Sequence, residues 1–546
     1  MLKNVKLKFT ENSDIDIDTN GVIIFVGPNN SGKSLILKEI FNSFNSQSPS
    51  NNELILKDYN IQFPTESDID SFISKAAELF PQPNVGNPDM ISLGRPNSQL
   101  QTNISTLRHL PANKNKQQTA FLYGRWGLIR LDGRSRFSLT DDQNMGDLLK
   151  QSTNILSDVF KNDIIRNRIR DVIFDAFGSY FVIDPTNGGK LRIRLSSIAP
   201  LEDEQSLSQQ AREFHGNATY IKDASDGVQA FTGIVTAIYS DDYHTVLVDE
   251  PEAFLHPPLA KKLGFHLSSL VTQQNSTLMI STHSADFLMG CIQATKNVKI
   301  VRLEYSNGKS RGRMIDAKQL EDFFKRPLIR NTNVISGLFY DGIVVTESDN
   351  DRVFYQEIYN RITENKSEHP SILFVNAQNK QTLKDIMGPL RSFGVPVAAI
   401  SDIDILKDGG MTWTNWLKSA RIPETLHLGY GQQREAIKNK FEQQHIDMKK
   451  DGGITALPPQ DQKAAEILFQ TLDSHGVFVV RSGELESWLK ELHIPGKKTD
   501  WTIAMLDRLG SDPSSKDYVK PAENDVWEFI RKIIKWVQDP ERDGLL

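Results

Sequence analysis

Two groups of residues in this sequence have types and spacings suited to phosphate and metal chemistry. The first begins in a loop, Gly-Pro-Asn-Asn-Ser-Gly-Lys-Ser, that follows an apolar run and precedes an amphipathic stretch. Glycines in such a loop let backbone N–H groups and a helix N-terminus surround phosphates, while the lysine reaches the β and γ phosphates. The final serine is suited to ligate Mg²⁺. The loop therefore predicts a nucleotide site formed by Gly27, Asn30, Ser31, Gly32, Lys33 and Ser34.

Two later apolar runs end in polar residues that would complete this site. Asp249 and Glu250 follow the run Val-Leu-Val, and His283 follows Leu-Met-Ile-Ser-Thr. At a strand end, Asp249 would join the Mg²⁺ shell and Glu250 would polarise the attacking water. We expect His283 to hydrogen-bond the γ phosphate. Because a single histidine is more often structural, that role depends on the neighbouring motifs.

The second group is acidic and begins at Glu347, 64 residues after His283. Glu347 ends an apolar run, and Asp351 would lie one helical turn later on the same side. Asp402 and Asp404 follow another apolar run, and their period-two spacing is expected to point both carboxylates to one face of a strand. Each acid alone is more often a solvated loop charge, so the indication comes from their recurrence at successive strand ends. Hard oxygen ligands gathered in this way suit Mg²⁺ or Mn²⁺, and a pair of such ions could hydrolyse a phosphodiester.

The elements that must position these residues read as alternating strands and helices. Residues 1–26 have the alternation of strands, with a buried strand at 22–26, and residues 35–45 have the period of a helix. From 221 to 299 helix and buried strand alternate, which predicts a parallel sheet. A second series of the same kind starts at 342–346.

Polar segments interrupt both series. Residues 42–118 are rich in Asn, Ser and Pro and predict an insertion with one helix at 69–80. Two amphipathic helices are predicted next, over 146–160 and 163–177, and a polar, mostly helical insertion over about 405–475.

Composition excludes some classes and leaves others open. With 546 residues the chain is expected to form about two to four domains. The absence of any long apolar run argues against a membrane span, and the single cysteine, Cys291, fits a reducing cytoplasm. The formal net charge of −6 does not indicate nucleic-acid binding, but a local basic groove would suffice for it.

The nucleotide motifs, in this order, resemble the ABC-type ATPase heads of chromosome-maintenance and recombination proteins over roughly residues 1–305. The resemblance includes a signature loop, in which Ser225 and Gly227 would contact phosphate, and it implies that ATP closes a dimer of two heads. The loop departs from the family at Asp226 and Val228, where glycines or other small residues are commoner.

The family's lid-loop glutamine has only weak matches in this sequence, Gln117 and Gln118.

The acidic group resembles the Toprim domain of topoisomerases, primases and some nucleases. The resemblance assigns Glu347 as the family's glutamate and Asp402 with Asp404 as its Asp-x-Asp pair. Ser348 departs from the glycine that many members carry, while Asp351 with the following arginine matches the end of the motif.

An ABC head followed directly by Toprim resembles the OLD (overcoming lysogenization defect) family of nucleases. That family carries further metal ligands on a later strand, which implies Ser482, Glu484 and Glu486 here, although an acid there could also simply start a helix. One branch uses a lysine near the C-terminus to stabilise transition-state charge. Lys520 is the favoured match over Lys516 and Lys535.

Together these features predict an α/β protein: an ABC-type P-loop ATPase head with a helical insertion, followed by a Toprim α/β domain. The head would occupy residues 1–335, with an insertion and helical dimerisation region at about 45–220, and the Toprim domain residues 336–546. The predicted function is an ATP-regulated, metal-dependent DNA endonuclease in bacterial antiphage defence, cytoplasmic and without a membrane partner. Its cofactors would be ATP with Mg²⁺, and Mg²⁺ or Mn²⁺ as two ions at the Toprim site.

The expected partners are DNA, a second copy of the chain or a higher oligomer, and a separately encoded regulatory protein or nucleic acid. Two alternatives remain. The chain could be an ATP-gated DNA-binding scaffold or sensor with a weak or inactive Toprim domain. Strand transfer like that of a topoisomerase ranks last, because no tyrosine stands in a convincing setting for a nucleophile.

Overall fold

The protein is described here by a computed structural model. The structure describes residues 1–546 except 1, 12, 49–51, 80–87, 96–97, 134, 151, 153, 240–242, 307, 316, 326–333, 365–368 and 546. The chain forms two compact units. One comprises Met1–Val26 and Asn30–Ala317, and the other comprises Lys318–Leu546 together with the short segment Gly27–Asn29.

The strands of the first unit form several sheets. In chain order they are β1 (Leu2–Leu7), β2 (Ile15–Asp18), β3 (Gly21–Val26), β4 (Leu56–Ile61), β5 (Met90–Arg95), β6 (Ser98–Asn103), β7 (Leu128–Leu131), β8 (Gln143–Asn144), β9 (Tyr180–Asp184), β10 (Lys190–Ser196), β11 (Thr219–Tyr220), β12 (Thr245–Asp249), β13 (Thr277–Ser281), β14 (Val298–Ser306) and β15 (Lys309–Ile315).

Helices pack around these sheets. They are α1 (Lys33–Asn45), α2 (Glu66–Leu79), α3 (Ile104–Arg108), α4 (Leu110–Asn113), α5 (Lys116–Leu122), α6 (Ser135–Ser138), α7 (Ile155–Lys161), α8 (Asp163–Phe177), α9 (Gln209–Asn217), α10 (Asp226–Tyr239), α11 (Pro257–Gln274) and α12 (Ala285–Ala294), with 3-10 turns at Gly124–Gly127 and Ile221–Asp223.

The central sheet has the strand order β15-β14-β3-β13-β12-β7. Its strands are parallel except for β15, which pairs antiparallel with β14. All six residues of β3 are buried, as expected for a parallel strand covered on both faces. Ile36, Leu37 and Ile40 of α1 join the same core. The sheet therefore brings the C-terminal ends of β3, β13 and β12 to one edge, where the predicted nucleotide residues lie.

The first unit also contains smaller sheets, most of whose strands lie within the range predicted as an insertion, about 45–220. β1 pairs with β2 and β4, β10 pairs with β8, β9 and β11, and β5 with β6 forms a hairpin. The helix predicted over 163–177 is present as α8. The helix predicted over 146–160 is wrong for most of that range, since α7 starts only at Ile155. Gly146 has φ of 69°, and Met145 N–H donates to the Gly189 carbonyl at 2.9 Å, so the chain there is held against β10 and its turn.

The second unit contains a four-stranded parallel sheet. Its strands are β16 (Gly342–Thr346), β17 (Ile372–Asn376), β18 (Val397–Asp402) and β19 (Val477–Val480). Its helices are α13 (Ala317–Phe324), α14 (Asp349–Thr363), α15 (Lys380–Ser392), α16 (Gly410–Ser419), α17 (Glu424–Gln443), α18 (Pro459–Ser474), α19 (Lys498–Leu509) and α20 (Asp525–Gln538), with 3-10 turns at Ile335–Phe339, Ile403–Lys407, Gly453–Ala456, Leu485–Ser487 and Lys490–Leu492.

The strand order in this unit is β17-β16-β18-β19. α14, α19 and α20 bury aromatic side chains against the sheet, among them Tyr355, Trp501 and Trp527. This packing fixes the edge at which β16 and β18 end. Among the described residues, no helix is long and apolar enough to cross a membrane.

Candidate nucleotide and metal sites

The loop after β3 has the curled backbone that a phosphate cradle requires. Gly27, Asn30 and Gly32 have φ of 143°, 61° and 96°. A Cβ on Gly32 would lie 2.3 Å from Cδ1 of Ile55, so only glycine fits this position. Lys33, the first residue of α1, is buried and donates to Ser31 Oγ at 3.3 Å. The loop thus places a lysine beside the N-terminus of a helix.

Burial lowers the pKa of Lys33 to about 8, although Glu250, Asp249 and Glu252 act in the opposite direction. The lysine and these acids face each other from different strand ends. A bound nucleotide with its Mg²⁺ would match this arrangement. Its phosphates would pair with the lysine, and its Mg²⁺ would pair with the carboxylates.

The acidic end of β12 is held by β13. Ser281 Oγ donates to Asp249 Oδ1, and Glu250 N–H donates to the Ser281 carbonyl at 2.9 Å. Glu250 has φ of 48°, a strained conformation for a residue with a side chain. His283 Nε2 lies 3.4 Å from Glu250 Oε1. The structure therefore brings Asp249, Glu250 and His283 together, as their positions after apolar runs predicted.

Burial, and next the positive charge of Lys33, lower the pKa of His283. A neutral imidazole at this position can hydrogen-bond to a phosphate or to water without adding charge.

Two residues of this site escaped the sequence reasoning. Glu252 Oε1 accepts from His283 N–H at 2.7 Å, and burial raises the pKa of its carboxyl group. Arg136 is buried and donates through Nη2 to the Asp249 carbonyl at 2.8 Å. Glu252 lies two residues after Glu250, and this position in the sequence could have indicated that it belongs to the site. Arg136 follows the edge strand β7, and nothing in the local sequence indicates its contact with Asp249.

The predicted signature loop begins α10. Ser225 is exposed, and its carbonyl accepts from Gln229 N–H at 3.0 Å in the first turn. A Cβ on Gly227 would lie 2.6 Å from the Phe254 carbonyl oxygen. This packing alone requires a glycine at 227, whether or not the residue also approaches a phosphate.

Neither glutamine suggested for the lid lies in such a loop. Gln117 Nε2 donates to the Ser43 and Ser46 carbonyls at 2.8 and 2.7 Å, at the far end of α1. At 1.5 Å per residue, Ser43 stands about 15 Å along the helix from Lys33. Gln118 Oε1 accepts from Asn113. The suggestion is wrong for Gln117 because its side chain is held at the end of α1 that lies away from Lys33.

In the second unit, carboxylates converge where β16 and β18 end. One oxygen each of Glu347, Asp402 and Asp404 lies within 4.8 Å of the other two. Ser401 Oγ donates to Glu347 Oε1 at 2.8 Å, and Asp402 N–H donates to the same oxygen at 3.2 Å. These bonds fix the Glu347 carboxylate across the two strands.

The predicted period-two alternation of Asp402 and Asp404 along one strand is wrong. β18 ends at Asp402, and Asp404 lies in the 3-10 turn Ile403–Lys407, so the two do not alternate along one strand. The turn returns Asp404 toward the cluster by curling the chain.

Crowding and burial act on the protonation of these acids. The pKa of Asp402 is raised to about 7, mainly by burial and secondly by the negative charge of Glu347. The positive charge of Lys449 lowers this pKa. Burial also raises the pKa of Glu347. Buried carboxylates this close together repel one another, so a cation between them would stabilise their charged forms.

The remaining predicted ligands surround this triad without joining it. Asp351 Oδ2 closes a capping box with Ser348, accepting from its N–H at 2.9 Å and its Oγ at 2.8 Å. Burial raises the pKa of Asp351, and the negative charge of Glu486 adds to the increase. Glu486 Oε1 also accepts from Lys498 N–H at 2.7 Å.

Glu484 and Ser482 lie on the turn after β19. Burial, and next Glu486, raise the pKa of Glu484. Ser482 Oγ lies 2.6 Å from Ser487 Oγ, so this hydroxyl is engaged within its own turn.

Two lysines, Lys449 and Lys380, contact the triad, and neither of them is the predicted Lys520. Lys449 Nζ lies 2.6 Å from Asp402 Oδ2 and 3.3 Å from Asp404 Oδ2. Lys380 Nζ lies 3.3 Å from Asp404 Oδ1. No motif in the sequence indicates either lysine, because Lys449 lies in the polar insertion and Lys380 starts a helix.

Lys520 is exposed and follows Val519, whose carbonyl accepts from Arg361 Nη1 at 3.0 Å. Arg361 lies ten residues beyond Asp351 on α14, about 15 Å along that helix. The structure therefore places Lys520 toward the other end of α14 from the triad. The other candidates, Lys516 and Lys535, are exposed.

The triad fits a small divalent ion. Opposite oxygens bound to Mg²⁺ at 2.0–2.1 Å are roughly 4.2 Å apart. At most one pair of the three oxygens could be opposite, and adjacent oxygens lie closer still, so the triad oxygens, which lie within 4.8 Å of one another, would move inward to share one ion. The donors are hard carboxylate oxygens, which Mg²⁺ and Mn²⁺ prefer.

Comparison with protein families gives two matches. Residues 109–290 match the family model described as "AAA domain, putative AbiEii toxin, Type IV TA system". This range includes Ser225, Asp249, Glu250 and His283 and begins after the P-loop. Residues 338–404 match "Overcoming lysogenization defect protein-like, TOPRIM domain", a range that includes the triad. A comparison with curated proteins finds no match.

Among solved structures, the chain is similar to heads of Smc proteins. An Smc head bound to the C-winged helix domain of ScpA is 14% identical, covers 59% of this chain and 99% of its own, and has a TM-score of 0.35. An Smc head with an extended coiled coil, bound to the C-terminal domain of ScpA derived from Pyrococcus furiosus, is 12% identical, with 59% and 98% covered and a TM-score of 0.33. The SMC head domain from Thermotoga maritima is 13% identical, with 58% and 99% covered and a TM-score of 0.29.

The α/β fold class is confirmed, with a P-loop ATPase head followed by a Toprim domain on a parallel sheet. Such domains imply the use of a nucleotide and of divalent metal. The order of the two family matches confirms the predicted resemblance: the chain joins an AAA-type ATPase domain to an OLD-like Toprim domain, as in an ATPase–Toprim fusion of the OLD family.

Proposed function

We propose that this protein is an ATP-regulated, divalent-metal-dependent DNA endonuclease that acts in bacterial antiphage defence. The observation that carries the proposal is the triad of Glu347, Asp402 and Asp404 at the C-terminal edge of a parallel sheet. The proposal assigns residues 1–335 to the ATPase domain and 336–546 to the nuclease domain.

The triad would hold a divalent ion, and Asp351 with Glu484 and Glu486 would form a second acidic position beside it. Bound ions would activate water and stabilise the charge that develops on a phosphodiester. Glu347 is oriented for this role by Ser401 and by the Asp402 backbone, so the protein itself determines where the ligand oxygen points. Lys380 pairs with Oδ1 of Asp404, where it would limit the rotation of that carboxylate.

ATP would control assembly rather than supply the cleavage chemistry. Lys33 and Ser34 would bind the phosphates and Mg²⁺, Asp249 would complete the Mg²⁺ shell, and Glu250 with His283 would orient the attacking water. Ser225 lies at an exposed helix N-terminus, which suits contact with the nucleotide of a second head. This part of the proposal predicts a homodimer in the ATP-bound state.

The test is a cleavage assay on plasmid and linear DNA with Mg²⁺ or Mn²⁺, with and without ATP. We expect metal-dependent cleavage that Glu347→Ala lowers at least about 100-fold, since it removes a ligand held at the centre of the cluster. Asp349→Asn is the matched control, because this acid lies two residues away but is exposed and pairs with Arg352. Cleavage that survives in Glu347→Ala, or is lost equally in both variants, contradicts the assignment.

One observation favours the second candidate, an ATP-gated DNA-binding scaffold or sensor. Lys449 already pairs with Asp402 and Asp404, so the carboxylates have a cation without any metal. In that case the purified protein would bind DNA in an ATP-dependent manner, and calorimetry would detect no divalent ion at the triad.

A further inference from the structure

The long insertion between β18 and β19 delivers a cation to the carboxylate triad. Lys449 follows α17 in this insertion, and its ammonium contacts Asp402 Oδ2 at 2.6 Å and Asp404 Oδ2 at 3.3 Å. These two acids belong to the cluster that would hold a divalent ion. The insertion therefore supplies a positive charge to two of the three acids that the proposed function gives to a metal.

Close packing against the turn after β19 holds the backbone of Lys449 in place. A Cβ on Gly483, which has φ of 128°, would lie 2.2 Å from the Lys449 carbonyl oxygen. A Cβ on Gly453 would lie 1.9 Å from the Arg481 carbonyl oxygen. Two glycines thus let the insertion lie directly on the turn after β19.

Hydrogen bonds connect this turn to the triad. Ile454 N–H donates to the Arg481 carbonyl and Ile403 N–H donates to the Gly483 carbonyl, both at 3.0 Å. The residue between Asp402 and Asp404 and the segment that carries Lys449 are therefore bound to the same turn. Such a connection determines where the ammonium stands.

The neighbouring lysine shows that position, rather than charge alone, distinguishes Lys449. Lys450 has a side chain that is 69% exposed and reaches Asp447 only at 3.9 Å. The side chain of Lys449 is 26% exposed. The side chain of Lys449 is thus mostly shielded from water where it pairs with the acids. Because it is also partly exposed and has a flexible four-carbon stem, it can turn outward into solvent.

We propose that Lys449 is a tethered cation that competes with the divalent ion for Asp402 and Asp404. This inference rests on the proposed metal site. An ammonium and a divalent ion on the same two carboxylates repel each other, and this repulsion weakens ion binding in a partly buried site. Ion binding is therefore favoured when the Lys449 side chain swings outward while its backbone stays in place, and Lys449 raises the ion concentration at which the site fills.

Manganese binding to the full chain tests this inference without any cleavage assay. The probe is Mn²⁺ alone, titrated by calorimetry and by electron paramagnetic resonance into wild type, Lys449→Met and Lys450→Met. We expect Lys449→Met to bind Mn²⁺ at least about fivefold more tightly, the lower end of usual coupling between two ligands. Lys450→Met, which makes the same charge change at an exposed position, should leave the affinity near that of wild type.

Thermal unfolding separates competition from a structural ion pair. In EDTA, Lys449→Met should melt below wild type, because the triad loses its neutralising charge. In saturating Mn²⁺ its melting temperature should rise by more than that of wild type, so that the deficit disappears. A purely structural ion pair would leave the same deficit in both conditions and would overturn the inference.

The outcomes also separate this inference from the metal site itself. Equal or weaker Mn²⁺ binding by Lys449→Met, with wild type binding normally and losing its ion in Glu347→Ala, overturns the competition and leaves the site standing. Absence of Mn²⁺ binding in both wild type and Lys449→Met overturns the metal site and the inference together. Lys449→Arg, which keeps the charge, should stay close to wild type and checks that the insertion still folds.

Discussion

The nucleotide site and the carboxylate site both lie where parallel strands end, but their charges are arranged in opposite ways. In the first, Lys33 is buried in a glycine-rich loop and faces acids on another strand, and burial lowers its pKa to about 8. In the second, acids dominate, and burial together with Glu347 raises the pKa of Asp402 to about 7. The first site is arranged to receive an anion that brings its own cation, whereas the second is arranged to receive cations.

The difference also concerns what supports each site. The loop around Lys33 is shaped by the backbone conformations of Gly27 and Gly32 within a few residues of the lysine. The carboxylates and Lys449 depend on a turn shared by distant segments. The phosphate loop should therefore tolerate changes elsewhere in the chain better than the carboxylate site does, whereas the acids that face Lys33 are themselves held by distant residues such as Arg136.

The largest effect is expected when the central charge of the nucleotide site is removed and ligand binding is measured at both sites. Lys33→Ala should weaken ATP binding at least about 100-fold, because it deletes the buried partner of the phosphates. Mn²⁺ binding at the triad should not change. Equilibrium binding of a fluorescent ATP analogue and of Mn²⁺ measures both, with Lys38→Ala, an exposed lysine of α1, as the matched control. Loss of Mn²⁺ binding in Lys33→Ala would show that the two sites are not separate.

Glu250→Gln should slow ATP hydrolysis about 100-fold or more while ATP still binds, since the amide cannot take a proton from water. If heads pair through ATP, this variant accumulates as a dimer. Light scattering after gel filtration, with and without ATP, gives the mass. A Glu250→Gln protein that stays monomeric with saturating ATP would contradict the pairing of heads, whatever the hydrolysis rate.

The pH dependence should have opposite signs at the two sites. Asp402 is protonated below its pKa of about 7, so a proton competes with the ion, and Mn²⁺ affinity should rise about tenfold from pH 6 to pH 8. Lys33 loses its charge above its pKa of about 8, so ATP affinity should fall between pH 7 and pH 9. Titrations of each ligand across this range measure both slopes. Parallel slopes would show that the charge arrangement described for one of the sites is wrong.

The smallest expected effect concerns the packing beneath Lys449. Gly483→Ala should lower the free energy of unfolding by about 1–3 kcal/mol, since the residue has a positive φ and no room for a Cβ. Mn²⁺ affinity should change as well, because the insertion shifts relative to Asp402 and Asp404.

The control is Gly429→Ala on α17, where no atom of the described residues lies within 4 Å of an added Cβ. There alanine should be neutral or stabilising by about 0.5–1 kcal/mol. Chemical denaturation compares the two. A Gly483→Ala protein as stable as wild type would show that the turn can move away from Lys449.

The elements that agreed with prediction are those determined by short-range pattern. An apolar run followed by Gly-x-x-x-x-Gly-Lys-Ser predicts a strand, a loop and a helix, and β3 and α1 follow that order. The helix predicted over 146–160 failed in its first half, because Gly146 has a positive φ and directly follows a segment that pairs with β10. Lys520 was favoured as a lysine near the C-terminus that precedes a proline and a helix, but the neighbouring Val519 carbonyl accepts a hydrogen bond from Arg361 at the far end of α14.

The sequence by itself determined which residues can do chemistry and that they stand after buried strands, because apolar runs and the residues that end them are local features. Only the tertiary structure decided which of them meet. A 3-10 turn brings Asp404 back to Asp402, and Lys449 pairs with Asp402 across 47 residues of sequence. Such a pairing depends on loops, turns and close backbone packing, which leave no periodic signal in the chain, and so no reading of the neighbouring residues could have found it.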